Sequence, residues 1–276
     1  MRQQGSRNDI YLKSPAEIAR MRRAGHLLQR IQGEIAALAG VGVSTLELDR
    51  LALARIREAR AKPGFLGLYG FPNTLCISVN EEVVHGIPSA KRILQDGDIV
   101  SVDCGLILDG FYADCARTLA IGNVSEQARR LIDVTTASLY AGLAAARVDG
   151  RVGDIGAAVE AVVHAAGFSS VDQYTGHGIG KSLHEEPKVF NTSQERGRRI
   201  GNGLTVAVEP MVNVGGAETE ELADGWTVVT KDRSLSAHVE HTVAVTRHGV
   251  EVLTMDPDNA ELRVLVEGAG LLWREP

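Results

Sequence analysis

Cysteine is scarce, and its scarcity excludes two architectures. Cys76, Cys104 and Cys115 are odd in number and fall at no metal-ligand spacing, so neither a disulfide framework nor a zinc–thiolate site is indicated. Buried free thiols are expected. Long apolar runs are also missing. None approaches the ~20 residues of a membrane span, and the opening MRQQGSRNDIYLKS lacks the apolar core of a signal peptide. A cytoplasmic protein with no membrane partner is therefore expected. Nor is there an excess of positive charge. A net charge of −6 argues against broad or specific affinity for nucleic acid. The basic clusters Arg20/Arg22/Arg23 and Arg55/Arg57/Arg60/Lys62 fall on predicted helices beside apolar stripes, where solvated faces explain them.

What is present is an ordinary globular composition. With 276 residues and 44% hydrophobic content, the chain can build one large domain or two small ones. Ser14-Pro15-Ala16-Glu17 combines an N-cap, a proline at the first helical position and a capping-box glutamate. Ile18, Met21, Gly25, Leu28, Ile31, Ile35 and Leu38 follow at helical steps until Gly40. Ser44 and Glu47 repeat the capping box and open a second helix that stops before Pro63-Gly64. TLCISVN and the run from 99 to 122 then read as strands. Ser125 can cap a helix to about Arg147, and residues 153 to 166 read as another helix ended by Gly167. Strands return in YTGHGIG, LTVAVEPMVNV, GWTVVT and HVEHTVAV. Two helices followed by strands, twice over, predict an α/β fold of two pseudo-twofold halves with a site at their junction.

Within IVSVDCGLILDGFYADCARTLAIG, Asp109-Gly110 between apolar runs is a strong hairpin signal. A two-residue turn there sets Leu108 opposite Phe111, Gly105 opposite Asp114, and Asp103 opposite Ala116. Asp103 and Asp114 then lie diagonally on one face, roughly 6 Å apart at Cβ, where two ionised carboxylates repel by about 3 kcal/mol at an effective dielectric of ~20. A cation between them, a shared proton, or a bulge that turns one aspartate to solvent would each resolve the conflict.

Three more residues narrow the choice. Glu209 ends an apolar run and Glu240 sits in a β-branched one, although glutamate is rarely buried unpaired. His177 lies between glycines that let the backbone crowd around it. Four mutually close carboxylates would repel by about 15 kcal/mol, a prohibitive fraction of a domain's stability. Two divalent cations cancel that charge. Carboxylates with one imidazole and no thiolate suit manganese, iron, cobalt or zinc, and paired metals about 3.5 to 4 Å apart can hold a bridging hydroxide at neutral pH.

VHGIP, the Asp103/Asp114 hairpin, TGHGIG followed by HEEP, VEP, and GWTVVTKDRSLSAHVEHT together resemble type I methionine aminopeptidase across roughly residues 14–253. That range is expected to form one catalytic domain, between an N-terminal tail, 1–13, and a C-terminal segment, 254–276. The resemblance implies the "pita-bread" fold, with a central antiparallel sheet covered by helices. It implies that Asp103, Asp114, His177, Glu209 and Glu240 bind two divalent metal ions (Co, Mn, Fe or Zn). The activity implied is removal of initiator methionine from nascent proteins with a small second residue. A monomer in transient contact with the ribosome is the implied setting. Only 31 residues lie between His177 and Glu209, too few for the helical insertion of type II. No zinc-binding extension precedes the match, which suggests a bacterial-type member.

By the same resemblance, a metal-bridging hydroxide attacks the scissile carbonyl, Glu209 is both ligand and proton shuttle, and His184 stabilises the developing oxyanion. His85 contacts the substrate backbone near the leaving group. Phe65, Leu68, Phe71, Cys76, Leu183 and Trp226 line the methionine pocket. The chain departs from the family pattern at Leu68 and Leu183, where relatives often carry aromatics. It departs also at His238, where they usually carry glutamine; strand alternation sets His238 on the face of Glu240, as a hydrogen-bond partner of a ligand. Because the chain begins Met1-Arg2, it is not expected to process its own initiator. The rival readings are a proline-directed aminopeptidase or prolidase of the same fold, which usually carries a further N-terminal domain, and a non-catalytic binding protein on that fold.

Overall fold

Both leading helices start where their capping boxes set them. In the computed structural model, which describes residues 10–276, Ser14 precedes helix α1 (Pro15–Leu38) and Ser44 precedes α2 (Thr45–Glu58), each with its box closed. Met1-Arg2 lies outside the described residues. α2 ends earlier than its pattern suggests, because Arg60 adopts a left-handed φ of 56° and Lys62–Pro63 leave the helix to pair with Ile107 and Leu106.

The hairpin has the expected register. Ile99–Leu108 and Phe111–Ala120 pair without a bulge, with Gly105 opposite Asp114 and Asp103 opposite Ala116. Leu75–Val79 adds to the other edge of the first strand. Cys104 faces Cys115 across the ladder, and both free thiols sit in the core that α1 and α2 close with Leu28, Ile31, Leu48 and Ile56. Removal of that apolar surface from water, at about 25 cal/mol per Å², drives this half together.

The second half repeats the plan. Helices α3 (Glu126–Ala145) and α4 (Val152–Ala165) accompany a five-stranded sheet. Its order is Gly249–Val252, His241–Thr246, Leu204–Val208, Gly176–Gly178, Glu185–Val189. Leu139, Leu143, Ile155, Val206, Val243 and Val252 share its core. All strand pairings in the sheets are antiparallel. Paired helices on antiparallel strands, twice over, form the α/β pita-bread architecture. The halves also touch through α1: a Cβ on Gly25 would lie 2.2 Å from the Leu253 carbonyl oxygen, so only glycine admits that approach.

Two segments read as continuous strands are broken. LTVAVEPMVNV divides into Leu204–Val208 and Met211–Asn213, and HVEHTVAV gives Ser236–His238 and His241–Thr246. The physical reason is an exchange of sheets. Leu204–Val208 pairs with His241–Thr246, whereas Met211–Asn213 pairs with Ser236–His238 and Ser169–Ser170. Pro210, which has no N–H to donate, stands at one crossover. Glu209 and Glu240 thus occupy the breaks rather than the strands. Beyond residue 253 the chain forms α5 (Ala260–Gly268), whose Leu262 and Val266 join the second core. Leu272 then bonds to Val250 and Val252.

Candidate metal centre

The site lies where the hairpin meets the second half. The Asp114 N–H donates to Thr242 Oγ1 at 3.0 Å, and that hydroxyl donates back to the Asp114 carbonyl at 2.7 Å. The Glu240 N–H donates to the Ala116 carbonyl at 2.9 Å. These three bonds fix the crossover carrying Glu240 beside the hairpin face that carries Asp103 and Asp114. Glu209 enters from the other crossover, its carbonyl held by Asn191 Nδ2 at 3.0 Å. Glycines flank His177 because both neighbours press on backbone: a Cβ at Gly176 would stand 2.3 Å from the Ala207 oxygen, and at Gly178 2.2 Å from that of Glu186.

All five residues singled out from the sequence converge. One donor atom each from Asp114, His177 and Glu240 lie within 4.8 Å of one another. His177 Nε2 is 3.5 Å from Glu209 Oε1 and 3.9 Å from Asp114 Oδ2, and Asp103 interacts directly with Asp114. His177 Nδ1 lies 2.9 Å from the Gly178 carbonyl. A carbonyl only accepts, so Nδ1 carries the proton and Nε2 turns its lone pair toward the carboxylates, the orientation a metal-ligating imidazole needs.

The electrostatics are those of a site short of positive charge. Burial, only partly offset by hydrogen bonds from Asp114 and the Cys104 backbone, raises Asp103 to about 7. Asp114 is pushed well above the usual carboxylate range by burial, then by Glu240 and Asp103. Glu209 and Glu240 rise for the same reasons. Burial and the nearby His184 lower His177 to about 4. Asp103 Oδ1, Asp114 Oδ1 and Glu240 Oε1 are buried with no hydrogen-bond partner. Hard oxygen donors, one neutral imidazole nitrogen and unpaired acceptors fit divalent cations.

A cavity of about 580 Å³ opens over the cluster. His85 and His184 border it, as do the six residues expected to line the methionine pocket: Phe65, Leu68, Phe71, Cys76, Leu183 and Trp226. Phe71 and Trp226 meet edge to face, 5.1 Å between centroids. Burial holds both histidines neutral at pH 7, with His85 lowered to about 4 by burial and then by His184. His85 takes a left-handed φ of 61°. The Gly86 that follows it must be glycine, since a Cβ there would be 2.1 Å from the Ile77 carbonyl oxygen.

Other cavity residues were not anticipated. Tyr174 packs edge-on to His85 at 5.7 Å, and Tyr69 stacks on His184. Behind the rim, Lys13 Nζ reaches Glu185 Oε2 at 2.5 Å, while Glu185 Oε1 accepts from the N–H groups of Lys181 and Ser182. The only sequence cue to Tyr69 is its place in the glycine-flanked GLYGF; Lys13 and Glu185 are too distant in the chain for any local cue. His238 departs from its expectation. Its strand ends at residue 238, so alternation does not carry through to Glu240. The imidazole instead places Nε2 3.8 Å from Glu209 Oε2, beyond hydrogen-bond range.

Comparisons with known proteins give the family and the fold. Residues 19–247 match the model of metallopeptidase family M24. The methionine aminopeptidase of Clostridium perfringens is 47% identical over 247 residues, 89% of this chain and 99% of that one. The crystal structure of the methionine aminopeptidase from Thermotoga maritima superposes with a TM-score of 0.88 at 36% identity, over 90% of this chain and all of that one. The prolidase from Pyrococcus furiosus shares the fold at 19% identity, with a TM-score of 0.73 over 88% of this chain and 65% of that one.

Proposed function

The chain belongs to metallopeptidase family M24 as one of its methionine aminopeptidases, metal-dependent hydrolases of N-terminal methionine, and we propose that Asp103, Asp114, His177, Glu209 and Glu240 together hold two divalent ions. The observation that carries this reading is that Asp114, His177 and Glu240 offer donor atoms within 4.8 Å of one another, with Glu209 and Asp103 beside them, beneath a cavity walled in part by apolar side chains. Two doubly charged ions neutralise four carboxylates, and manganese, iron, cobalt and zinc all accept this donor set. When bound, they supply Lewis-acid activation of water and of the scissile carbonyl.

The protein's own groups do the rest. Phe65, Phe71, Cys76, Leu183 and Trp226, with Leu68, enclose an apolar methionine side chain and exclude water from it. Leu68 and Leu183 keep that lining apolar where the family often uses aromatic rings. Glu209, which borders the cavity, accepts the proton of the attacking water and passes it to the leaving amine, work that needs a carboxylate within hydrogen-bond reach of both. His184, neutral at pH 7, donates an N–H toward the oxygen on which charge develops. His85, across the cavity, meets the peptide backbone beyond the scissile bond. The substrates are peptides with N-terminal methionine and a small second residue. The same reading sets a cytoplasmic monomer in transient contact with ribosomes; its support is the substrate class, because nascent chains first offer an N-terminal methionine there. Among the described residues no helix is long and apolar enough to cross a membrane.

The test is hydrolysis of Met-Ala-Ser and of Gly-Pro after chelation and after return of each divalent metal in turn. Activity on Met-Ala-Ser is expected to vanish on chelation and return with metal. Retained activity in stripped protein, or faster cleavage of Gly-Pro, would overturn the reading.

A further inference from the structure

Tyr69 is held in an arrangement that core packing does not explain. It is 77% exposed, the most exposed of the large hydrophobic side chains among the described residues, yet its backbone sits at φ 51°, ψ 15°, a left-handed conformation that aromatic residues rarely adopt. Gly67 and Gly70 on either side also have positive φ, 82° and 93°, and a Cβ on either would meet nothing within 4 Å. Those glycines therefore serve the backbone path and not a close contact. The turn is closed by Gly67 N–H to the Phe71 carbonyl at 2.8 Å and Phe71 N–H to the Leu68 carbonyl at 2.9 Å. It leaves Tyr69 at the mouth of the cavity that Leu68 and Phe71 also line. Turns and helix ends account for such backbone at Arg60 and Asp109, whereas Tyr69 adopts it at the rim of a cavity, where strain is a reason to look for a functional role.

The ring's surroundings indicate the task. It lies parallel to the His184 imidazole, 6.2 Å between centroids and 6° between planes, and His184 in turn meets His177 edge-on at 4.5 Å. Three rings thus lead from the carboxylate cluster to solvent. A peptide whose first carbonyl is at His184 and whose following backbone meets His85 leaves through the cavity mouth that Tyr69 borders, and an extended chain advances about 3.3 Å per residue. The step from His184 to Tyr69 therefore spans about two residues. We propose that Tyr69 is a specificity-determining residue of this enzyme: its exposed ring face is the platform for the side chain of the peptide's third residue, favouring aromatic and other large apolar groups there. The inference rests on the methionine aminopeptidase reading and extends it past the scissile bond.

Steady-state kinetics of the metal-loaded protein on Met-Ala-Phe and Met-Ala-Ala, which differ only at the third residue, test it. An aromatic contact of this kind favours the phenylalanyl peptide by roughly fivefold in kcat/KM, carried by KM. In Tyr69→Ala that ratio should fall to about one, and in Tyr69→Phe it should persist. Thermal melts of the metal-free variants check that both fold. A wild-type ratio near one, or a ratio unchanged in Tyr69→Ala, overturns the proposal. That includes the case in which both peptides slow by the same factor, because Tyr69 would then only support His184. Wild-type protein inert on both peptides with metal present would instead refute the activity on which the proposal rests.

Discussion

The ring of Phe65 occupies the space in which a side chain at Gly105 would stand: a Cβ there would lie 2.6 Å from Phe65 Cε1. Gly105 pairs with Asp114, so its missing side chain lets an aromatic wall of the cavity approach the carboxylates. Gly105→Ala should push that buried ring into the cavity. Strain of this sort costs about 1–3 kcal/mol. The expected outcome is lower stability in urea together with a raised KM for methionyl peptides; an unchanged KM would show that Phe65 does not bound the methionine pocket.

Lys13 and Glu185 form a second long-range tie, 172 residues apart, with side chains 1% and 16% exposed. Glu185 follows His184 directly and caps the turn before it through Lys181 and Ser182. Removing one partner of a buried pair leaves an uncompensated charge and costs about 3–5 kcal/mol. Lys13→Met should lose about that much in urea denaturation and lower kcat by loosening His184. Adding Glu185→Gln should recover part of the stability, because the stranded charge is then gone. No recovery would mean that the loss comes from packing.

The hairpin register was legible because Asp109-Gly110 fixes a two-residue turn, and every later pair follows from it with no bulge. The crossovers were not. Apolar residues run straight through Val208-Glu209-Pro210 and His238-Val239-Glu240, and the break comes from strand partners far away in sequence. Local pattern carries no record of such an exchange. α5 escaped notice because it is short and buries only Leu262 and Val266. The donor set, by contrast, was readable from charge alone, since carboxylates inside apolar runs need a counterion wherever the strands break.

His238 has an Nε2 that is buried without a partner, 3.8 Å from Glu209 Oε2. Burial, and then His85, lower its pKa to about 3, so the ring is neutral and acts through its N–H or its lone pair. As the polar ring nearest that carboxylate oxygen rather than a metal ligand, it should be replaceable by another donor of similar reach. His238→Gln should keep full metal content by elemental analysis and most of its activity. His238→Leu should keep the metal and lose activity about tenfold or more. Metal content halved in His238→Gln would make the imidazole a ligand.

The carboxylate cluster should make the metal-free protein less stable as pH rises above neutrality. Unfolded aspartates and glutamates have pKa values near 4, so above pH 6.5 the unfolded chain has already released those protons. The folded protein has not: burial pushes Asp103 up to about 7, and burial with mutual repulsion pushes Asp114, Glu209 and Glu240 well above the usual carboxylate range. The folded state therefore binds more protons than the unfolded state, and stability falls as pH rises, by about 1.4 kcal/mol per pH unit for each proton held. The buried histidines act in the opposite sense, but lower down. His85 and His177, at about 4, contribute stability that grows between pH 4 and 6.5 and is complete above it. The two effects oppose each other in acid. Above 6.5 the carboxylates act first, and beyond about pH 7.5 the buried Cys76, Cys104 and Cys115 thiols, pushed up by burial, add a fall of the same sign. Urea denaturation of chelated protein at pH 6.5, 7.0 and 7.5, below the range in which unfolded thiols ionise, should show stability dropping at each step, and saturating divalent metal should abolish the drop by taking the place of the protons. A flat profile without metal would mean that the four carboxylates are not mutually buried.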